Sequence, residues 1–270
     1  MLILIRGGGD LASGVALRLF KVGLRVVITE IEKPLAIRRL VSFAEAVYQG
    51  ETTVEGVTAQ RVNDPTDTLR ILQVLAKGRI PVLIDPPGTA ISSLHPHVVV
   101  DGRMLKRKVE LIRTQVKLIV GLGPGFVVGE NCHAVIETNR GHMLGRVYWQ
   151  GEAEANTGVP EAVLTQGLER VLRAPKAGVF QGRAEIGEHL EQGQLVAEVD
   201  GEPIYAPFSG VLRGILFSGL EVSQGMKVGD IDPRDDPRYC RLVSEKSLAI
   251  GGGVLEAILS RPGLRPHLWA

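Results

Sequence analysis

The sequence predicts an α/β fold with a parallel-sheet domain, a smaller all-β domain and a C-terminal helix. Three observations support this prediction. In the first half, continuous apolar strands alternate with helices, as in parallel sheets that are covered on both faces. Short β-segments replace the helical periodicity from about Leu172 onward. A shift of 32 residues then aligns Ala174–Asp200 with Ala206–Asp232 and gives ten identities across 27 residues.

The bulk composition excludes several classes of protein. The 270 residues are enough for one large domain or two smaller ones. Lys and Arg number 31 and Asp and Glu number 30, so we expect no general attraction to nucleic acid or to a membrane. Two cysteines, Cys132 and Cys240, are too few for a disulfide framework or a zinc cage. The sequence shows neither a signal peptide nor an apolar run of about 18 residues, which predicts a cytoplasmic protein.

The chain begins with an apolar strand, Leu2–Ile5, followed by a glycine-rich turn, a helix and a second strand that ends at Glu30. This is the order of a Rossmann-like nucleotide-binding βαβ unit. Gly7 and Gly9 take the first two positions of the G-x-G-x-x-G/A pattern, and Ala12 takes the third. The helix N-terminus would hold a phosphate, and Glu30 is placed to accept hydrogen bonds from ribose hydroxyls. A turn that binds nothing is the alternative.

Asp10 opposes a phosphate at this turn, because its carboxylate would repel the ligand unless it capped the helix and pointed outward. Two further loops, Asp85–Gly88 and Gly121–Phe126, follow apolar strands. Ligands of open parallel sheets bind at the carboxyl ends of the strands, so we expect these loops to converge on the first turn. The predicted cofactor-binding residues are Gly7, Gly8, Gly9, Asp10, Ser13, Gly14, Glu30, Gly121, Gly123 and Gly125.

Two helices are predicted away from these loops. Leu35–Val47 has the apolar spacing of a helix, and Lys246–Leu259 has a helical pattern that Gly251–Gly253 interrupt. Three glycines inside a helix cost about 3 kcal/mol relative to alanine, so either the helix breaks or it packs too closely for side chains. We expect close packing against the first domain, and we therefore expect Gly252→Leu to destabilise the protein.

The β-repeat reads Ala-Pro-x-x-Gly-Val, then a glycine turn and Gln-Gly-x-x-Val. It resembles the barrel-sandwich hybrid fold of biotinyl and lipoyl carrier domains over about residues 172–233. Those carriers present a modified lysine on the hairpin between their halves. The corresponding hairpin, Val196–Pro203, contains no lysine, so we expect the domain to position a partner or the first domain instead. The predicted domains are a Rossmann-like domain at 1–165, the barrel-sandwich hybrid domain at 172–233, and a C-terminal helix packing on the first domain at 240–270.

Few residues suggest catalysis. Cys132 and His133 place a thiol beside an imidazole, as nucleophilic cysteines require. Adjacent side chains on a strand point to opposite faces, so a buried cysteine and a structural histidine are the favoured interpretation. His95 and His97 could share a face, but the sequence offers no evident third ligand, and we predict no metal site. The catalytic residues stay unassigned.

Polar clusters offer further places for an anion. Arg140 and His142, in the polar run Glu137–His142, could hold one, and Asn156-Thr157-Gly158 continues that run. A basic cluster is expected on a solvated helix face, with phosphate binding as the alternative. Its members are Arg103, Lys106, Arg107, Lys108 and Arg113.

Five segments together resemble the YqeB family, which is associated with selenium-dependent molybdenum hydroxylase systems. They are Gly7–Gly14, Ile37–Val47, Gly121–Phe126, Glu137–His142 and Gly251–Gly253. The resemblance implies an accessory or maturation role, with a molybdenum hydroxylase apoenzyme as the partner, and it assigns no catalytic residue. Likeness to accessory proteins of xanthine dehydrogenase implies that the glycine turn handles a molybdopterin-type cofactor, which is phosphorylated and often linked to a nucleotide.

Three functions follow from these features. The first is an accessory protein that binds a small phosphate-bearing ligand, either a nucleotide or a molybdopterin-type cofactor. The second is an NAD-dependent oxidoreductase in which Glu30 reads the ribose, although the sequence lacks an evident proton-transfer pair such as Tyr-x-x-x-Lys. The third is a scaffold that docks a partner without catalysis. Whether the protein is an enzyme stays open, and a homodimer is expected only from its general frequency.

Overall fold

The computed structural model describes residues 1–105, 107–110, 115–155 and 168–268. The chain divides into two compact units. The first contains Met1–Pro34, Ser42–Asn156 and Val243–Ala270, and the second contains Leu35–Val41 and Thr157–Leu242.

The first unit is built on a nine-stranded sheet. Its strands are β1 (Leu2–Arg6), β2 (Arg25–Glu30), β3 (Glu51–Val54), β4 (Val57–Val62), β5 (Ile80–Ile84), β6 (Val98–Asp101), β7 (Leu118–Leu122), β8 (Ala134–Ile136) and β9 (Val147–Tyr148). They lie in the order β3-β4-β5-β2-β1-β6-β7-β8-β9. The strands from β4 to β8 in this order are parallel, and both edge strands pair antiparallel to their neighbours.

The helices of this unit are α1 (Asp10–Lys21), α2 (Ala46–Gln49), α3 (Thr68–Ala76), α4 (Ala90–Leu94) and α5 (Glu245–Leu259). One face of the sheet packs its apolar side chains against α3 and α4, because Leu4 and Val99 share a buried apolar cluster with residues of both helices. The helix residues are Ile71, Val74, Ala90 and Ile91. Successive side chains of a strand alternate between faces, so Ile3 and Ile5, which are fully buried, lie on the other face.

Helix α5 continues through its three glycines and lies against α1. A Cβ at Gly251 would lie 2.8 Å from Arg18 Cγ, and one at Gly253 would overlap the carbonyl oxygen of Gly145. Gly252 differs, because none of the described atoms lies within 4 Å of its Cβ position. The expectation that Gly252 itself is closely packed is therefore wrong, and the close approaches belong to the glycines on either side of it.

The second unit contains two separate four-stranded antiparallel sheets. The strands are β10 (Val171–Arg173), β11 (Gly178–Gly182), β12 (His189–Leu190), β13 (Leu195–Val199), β14 (Glu202–Tyr205), β15 (Gly210–Ile215), β16 (Glu221–Val222) and β17 (Lys227–Asp232). The orders are β10-β17-β15-β12 and β14-β13-β11-β16. The 32-residue shift carries β11 and β13 of the second sheet onto β15 and β17 of the first, and β12 of the first sheet onto β16 of the second. Each half of the repeat thus contributes to both sheets.

The predicted fold class, a Rossmann-like parallel-sheet domain followed by a barrel-sandwich hybrid domain of the biotinyl/lipoyl type, is wrong. The large sheet is mixed, and the second unit forms two separate antiparallel sheets. Apolar periodicity marks where strands occur but not their direction. The antiparallel pair β3–β4 depends on a tight turn at Glu55 and Gly56, whose φ angles are +44° and +82°.

The predicted helix Leu35–Val47 is also wrong. This stretch forms short 3₁₀ turns at Arg39–Val41 and Phe43–Glu45 before α2 begins. Within the second unit, Ile215 N donates to the carbonyl oxygen of Ile37 at 2.9 Å. These backbone contacts override the helical apolar spacing.

Candidate functional site

Six neighbouring parallel strands end at the same edge of the large sheet, in the order β5-β2-β1-β6-β7-β8. The chain runs from β1 to β2 on one side, while β6, β7 and β8 follow on the other. Ligands of open α/β sheets bind outside the carboxyl ends at such a reversal of strand order. The groups at this carboxyl edge are Arg6–Gly9, Glu30, Asp85–Thr89, Asp101–Arg103, Gly121–Gly125 and Glu137.

The three glycines of the first turn have different surroundings. Gly7 has φ +89°, and a Cβ there would lie 3.2 Å from the Arg103 backbone. A Cβ at Gly8 would lie 2.9 Å from Ala44 N, which donates to the Gly8 carbonyl oxygen at 2.8 Å. In the described part of the chain, nothing lies within 4 Å of the Cβ position of Gly9. Packing thus explains why positions 7 and 8 are occupied by glycine, whereas Gly9 borders open space.

The carboxylate of Asp10 is held on the α5 side, because Oδ1 accepts a hydrogen bond from Ser247 Oγ at 2.9 Å. The residue that precedes α1 is Gly9, which has no side chain to cap the helix. Asp10 is therefore not the N-cap that would have turned its charge outward. The contact with α5 holds the charge instead.

Ser13 and Gly14 have structural contacts. Ser13 is fully buried, and its Oγ donates to the Gly8 carbonyl oxygen at 2.9 Å and accepts from Phe43 N at 2.8 Å. A Cβ at Gly14 would lie 2.8 Å from the carbonyl oxygen of Ser247 on α5. Both residues thus have roles in holding the turn and the helix pair, and their predicted contact with a ligand stays a prediction.

The Glu30 carboxylate hydrogen-bonds to the backbone of the first turn and to the residue that follows Glu30. Its Oε1 accepts from Gly8 N at 2.8 Å and its Oε2 accepts from Ile31 N at 2.7 Å. Burial raises the pKa of Glu30, while the two backbone donors lower it. Each carboxylate oxygen retains acceptor capacity, so Glu30 can also receive a ligand hydroxyl.

The second glycine loop is packed by its own neighbours. A Cβ at Gly121 would overlap the ring of Phe126. Gly123 and Gly125 have φ +71° and +103°, and their Cβ positions meet Thr138 Oγ1 and the Arg107 carbonyl oxygen. These contacts require glycine without any ligand, so the predicted cofactor role of this loop stays a prediction.

Two buried carboxylates at the edge organise loops. Asp85 accepts from the backbone amides of Gly88 at 3.1 Å, Thr89 at 2.9 Å and Ala90 at 2.8 Å, and from Thr89 Oγ1 at 2.8 Å. Glu137 accepts from three amides, those of Thr138 and Asn139 at 2.7 Å and Glu154 at 2.8 Å. Their acceptors are largely occupied, which disfavours a proton-transfer role.

Sequence reasoning missed a buried charge cluster at the ends of β1 and β6. Asp101 is fully buried and pairs with Arg103 through Nε at 2.9 Å and Nη2 at 2.6 Å. The neighbouring Arg6 side chain is 9% exposed, and its Nη1 lies 4.0 Å from Asp101 Oδ2. Burial lowers the pKa of Arg6, as does Arg103, while Asp101 and Asp85 raise it. The sequence signal that could have revealed this cluster was a charged residue at the end of an otherwise apolar strand, Arg6 on β1 and Asp101 on β6.

Cys132 is not an activated nucleophile. It is buried, and burial raises the pKa of its thiol to about 12. His133 Nδ1 accepts from Ile119 N at 2.8 Å, so its imidazole has a backbone partner. The interpretation as a buried cysteine beside a structural histidine agrees with these contacts.

The other polar candidates have protein partners or lie outside the description. Arg140 Nη2 lies 2.7 Å from Glu245 Oε1. Lys108 Nζ lies 2.8 Å from Glu130 Oε2, and the described residues around it are not helical, so the predicted helix face is wrong. Lys106, Arg113 and the segment Asn156-Thr157-Gly158 lie outside the described residues. Within the described ranges, we find no group of three His, Cys, Asp or Glu side chains that could hold a metal.

A cavity of about 390 Å³ lies in the second unit. It is lined by Leu40, Glu185, Ile186, Gly187, Glu188, Pro237, Cys240 and Arg241. The Glu188 carboxylate already accepts from Glu185 N and Gln194 Nε2, each at 3.0 Å. No chemistry in this lining selects a ligand, so the carboxyl edge is the stronger candidate.

The fold and this edge define an α/β protein with a candidate site for an anionic ligand. The chain belongs to the YqeB family. It is 45% identical over 258 residues to the protein named "Uncharacterized protein YqeB" of Escherichia coli (strain K12). The match covers 96% of this chain and 47% of that protein, so the chain spans about half the length of its curated relative. No protein-family model matches the chain, and none of the described helices is long and apolar enough to cross a membrane.

Three solved structures are similar over 85% of the chain. An aspartoacylase family protein from Mesorhizobium loti has 11% identity, 83% of its chain covered and a TM-score of 0.26. A succinylglutamate desuccinylase/aspartoacylase from Rhodobacter sphaeroides has 14% identity, 84% of its chain covered and a TM-score of 0.26. The ectoine utilization protein EutE (DoeB) from Ruegeria pomeroyi has 11% identity, 85% of its chain covered and a TM-score of 0.24. At such scores these similarities carry no conclusion about fold or activity.

Proposed function

We propose that this protein is an accessory protein that binds a phosphate-bearing ligand at the Gly7–Gly9 turn and serves the maturation of a molybdenum hydroxylase. The ligand is a nucleotide or a molybdopterin-type cofactor. The observation that carries the binding proposal is the open start of α1, where Gly9 borders free space at the reversal of strand order. The amides of Leu11 and Ala12 have no acceptor within the helix, and helix N-termini favour anions.

Two contacts fix the positions of the acidic side chains near this place. Asp10 would repel a phosphate, but its carboxylate accepts from Ser247 Oγ on α5. Glu30 reaches the turn through Gly8 N and retains lone pairs for a ligand hydroxyl. Because a carboxylate would repel a phosphate on the ribose, Glu30 favours a ligand with a free ribose diol.

The accessory role is supported by the family resemblance, which ties these proteins to molybdenum hydroxylase systems. The NAD-dependent oxidoreductase receives less support. Asp85 and Glu137, the buried carboxylates of the edge, are committed to loop amides, and the Cys132 thiol is buried with a raised pKa. A ligand-handling role needs binding groups at the edge without a dedicated acid and base.

The binding proposal is tested by calorimetric titration of the full chain with NAD, CTP and a molybdopterin nucleotide. Gly9 has φ −70°, a conformation open to any residue, so Gly9→Gln and Gly9→Glu make a matched pair. We expect Gly9→Glu to lose at least about tenfold in affinity, because its carboxylate would meet the phosphate at the helix start. Gly9→Gln should lose less, since it adds the same bulk without charge.

Equal affinities of Gly9→Glu and wild type would overturn the placement of the ligand. Binding of NAD alone would favour the oxidoreductase, and no response to any of the three ligands would favour a scaffold. The maturation role is tested separately, by measuring activation of a molybdenum hydroxylase in cells with and without this protein. Unchanged activation would remove that part of the proposal and leave the binding site intact.

A further inference from the structure

The guanidinium of Arg6 is short of hydrogen-bond acceptors. A guanidinium carries five N–H donors. Arg6 Nη2 donates to the Pro86 carbonyl oxygen at 3.0 Å, and Nη1 lies 4.0 Å from Asp101 Oδ2, too far for a hydrogen bond. Nε is buried and has no partner among the described atoms. Buried polar groups are costly unless they are paired, so this arginine calls for an acceptor.

The two neighbouring carboxylates are already committed. Asp101 accepts from Arg103 Nε, Nη2 and backbone N, at 2.9, 2.6 and 3.3 Å. Asp85 holds the amides of Gly88, Thr89 and Ala90 and the Thr89 hydroxyl. Neither carboxylate can turn to Arg6 without breaking these bonds. The missing acceptor therefore has to come from outside the cluster.

The loop beside Arg6 leaves its guanidinium next to bare backbone. Gly88 has φ +82°, and a Cβ there would lie 3.3 Å from Arg6 Cζ and Nε. Because Gly88 has no side chain, the backbone of the loop Pro86–Gly88 lies directly against the guanidinium. Arg6 ends β1 beside β6, at the reversal of strand order where ligands of such sheets bind.

We propose that Arg6 forms an oxyanion subsite that takes a phosphate or carboxylate group, with Nε and Nη1 as donors. Arginine suits this role because its planar fork matches the geometry of both oxyanions. The anion supplies the acceptor that Nε lacks. The subsite does not depend on the ligand proposed for the Gly7–Gly9 turn.

The direct test observes the arginine Nε–H signals of the full wild-type chain by ¹⁵N NMR during titration with inorganic phosphate, malonate or chloride at constant ionic strength. Arg6→Lys assigns the Arg6 signal. We expect saturable movement of that signal with phosphate or malonate and none with chloride. The responding anion identifies the source as a phosphate or a carboxylate. No saturable movement of any arginine Nε–H signal with either oxyanion overturns the proposal, and that outcome needs no assignment and no variant.

Affinity measurements supply a second test. Arg6→Lys keeps the charge but loses the fork, so we expect its affinity for the responding anion to fall about tenfold or more. Arg70→Lys, at a half-buried position of α3, is the matched control and should bind as the wild type does. An Arg6→Lys protein with the wild-type melting temperature and wild-type affinity would also overturn the subsite.

Gly9→Glu separates this proposal from the proposed function. We expect that variant to lose the nucleotide while its Arg6 signal still responds to the anion. Loss of the Arg6 response with intact nucleotide binding would count against the subsite alone. In the wild-type protein, failure of all nucleotide binding with a persistent Arg6 response would count against the proposed function alone.

Discussion

Ser247 Oγ donates a hydrogen bond of 2.9 Å to Asp10 Oδ1, which joins α5 to the first turn of α1. The two residues are 237 positions apart in the chain. The bond holds the Asp10 carboxylate on the α5 side of the start of α1. We propose that this helix start is the phosphate site. The bond therefore stabilises the helix pair and fixes the position of the Asp10 carboxylate.

Removal of this bond should lower stability. Ser247 is fully buried, and a hydrogen bond to a charged group contributes about 1.5–3 kcal/mol. We expect Ser247→Ala to lose about this much free energy of unfolding in urea denaturation. Ser260→Ala, at the exposed end of α5, should change it by less than about 0.5 kcal/mol. Equal effects of the two substitutions would show that the buried bond contributes nothing.

Two of the three glycines of α5 should respond oppositely to alanine. Gly252→Ala should raise the free energy of unfolding by about 0.5–1 kcal/mol, because alanine favours the helix and the site is open. Gly253→Ala should lower it, since its Cβ would overlap the Gly145 carbonyl oxygen. Thermal or urea unfolding of both variants measures the difference. The same sign for both would contradict the packing of α5.

The Cys132 thiol should resist labelling in the folded protein. Because its pKa is raised to about 12, only on the order of 10⁻⁴ of it is thiolate near pH 8. We expect negligible reaction with a disulfide reagent under native conditions and rapid reaction in guanidinium chloride. Mass spectrometry of the labelled peptides distinguishes Cys132 from Cys240, whose thiol is also buried. Fast native labelling at Cys132 would restore the nucleophile interpretation.

Stability should depend on pH through His97. Its ring lies 4.7 Å from that of His267, and its pKa is lowered by burial first, and then by His267, the N-terminal ammonium, Lys117 and Arg25. The unfolded chain therefore binds a proton at a higher pH than the folded protein does. The resulting stability is present above about pH 6.5 and is lost as the pH falls toward the lowered pKa.

His97→Gln should flatten this dependence between about pH 5 and 7, as measured by urea denaturation at several pH values. His142→Gln is the control, because that histidine is exposed. If both variants keep the wild-type slope, His97 does not cause the acid loss of stability.

Local patterns located several elements but not their pairing. The apolar run Leu2–Ile5 and the pattern Lys246–Leu259 coincide closely with β1 and α5. The helix expected at Leu35–Val47 is absent from the described structure, because Ile37 is held by Ile215 in the second unit. Strand direction at β3 and β9 likewise depended on turns and pairing that periodicity does not encode.

The candidate site shows the same division. Gly9 and Glu30 were found from their spacing, since a glycine turn and an acidic strand end are local features. Arg6 was missed because its unpaired Nε results from carboxylates that are used by Arg103 and by the Asp85 loop. Those bonds are local, and only the folded sheet brings both carboxylates beside Arg6, which is remote from them in sequence.

The sequence by itself determined the strand, glycine turn and helix at the start of the chain, the 32-residue repeat and the resemblance to the YqeB family. All three are properties of residue identity and spacing along the chain. Only the tertiary structure decided that the large sheet is mixed, that Asp10 turns to α5 and that Arg6 lacks an acceptor. These depend on distances between residues that are remote in sequence, which the folded packing alone sets.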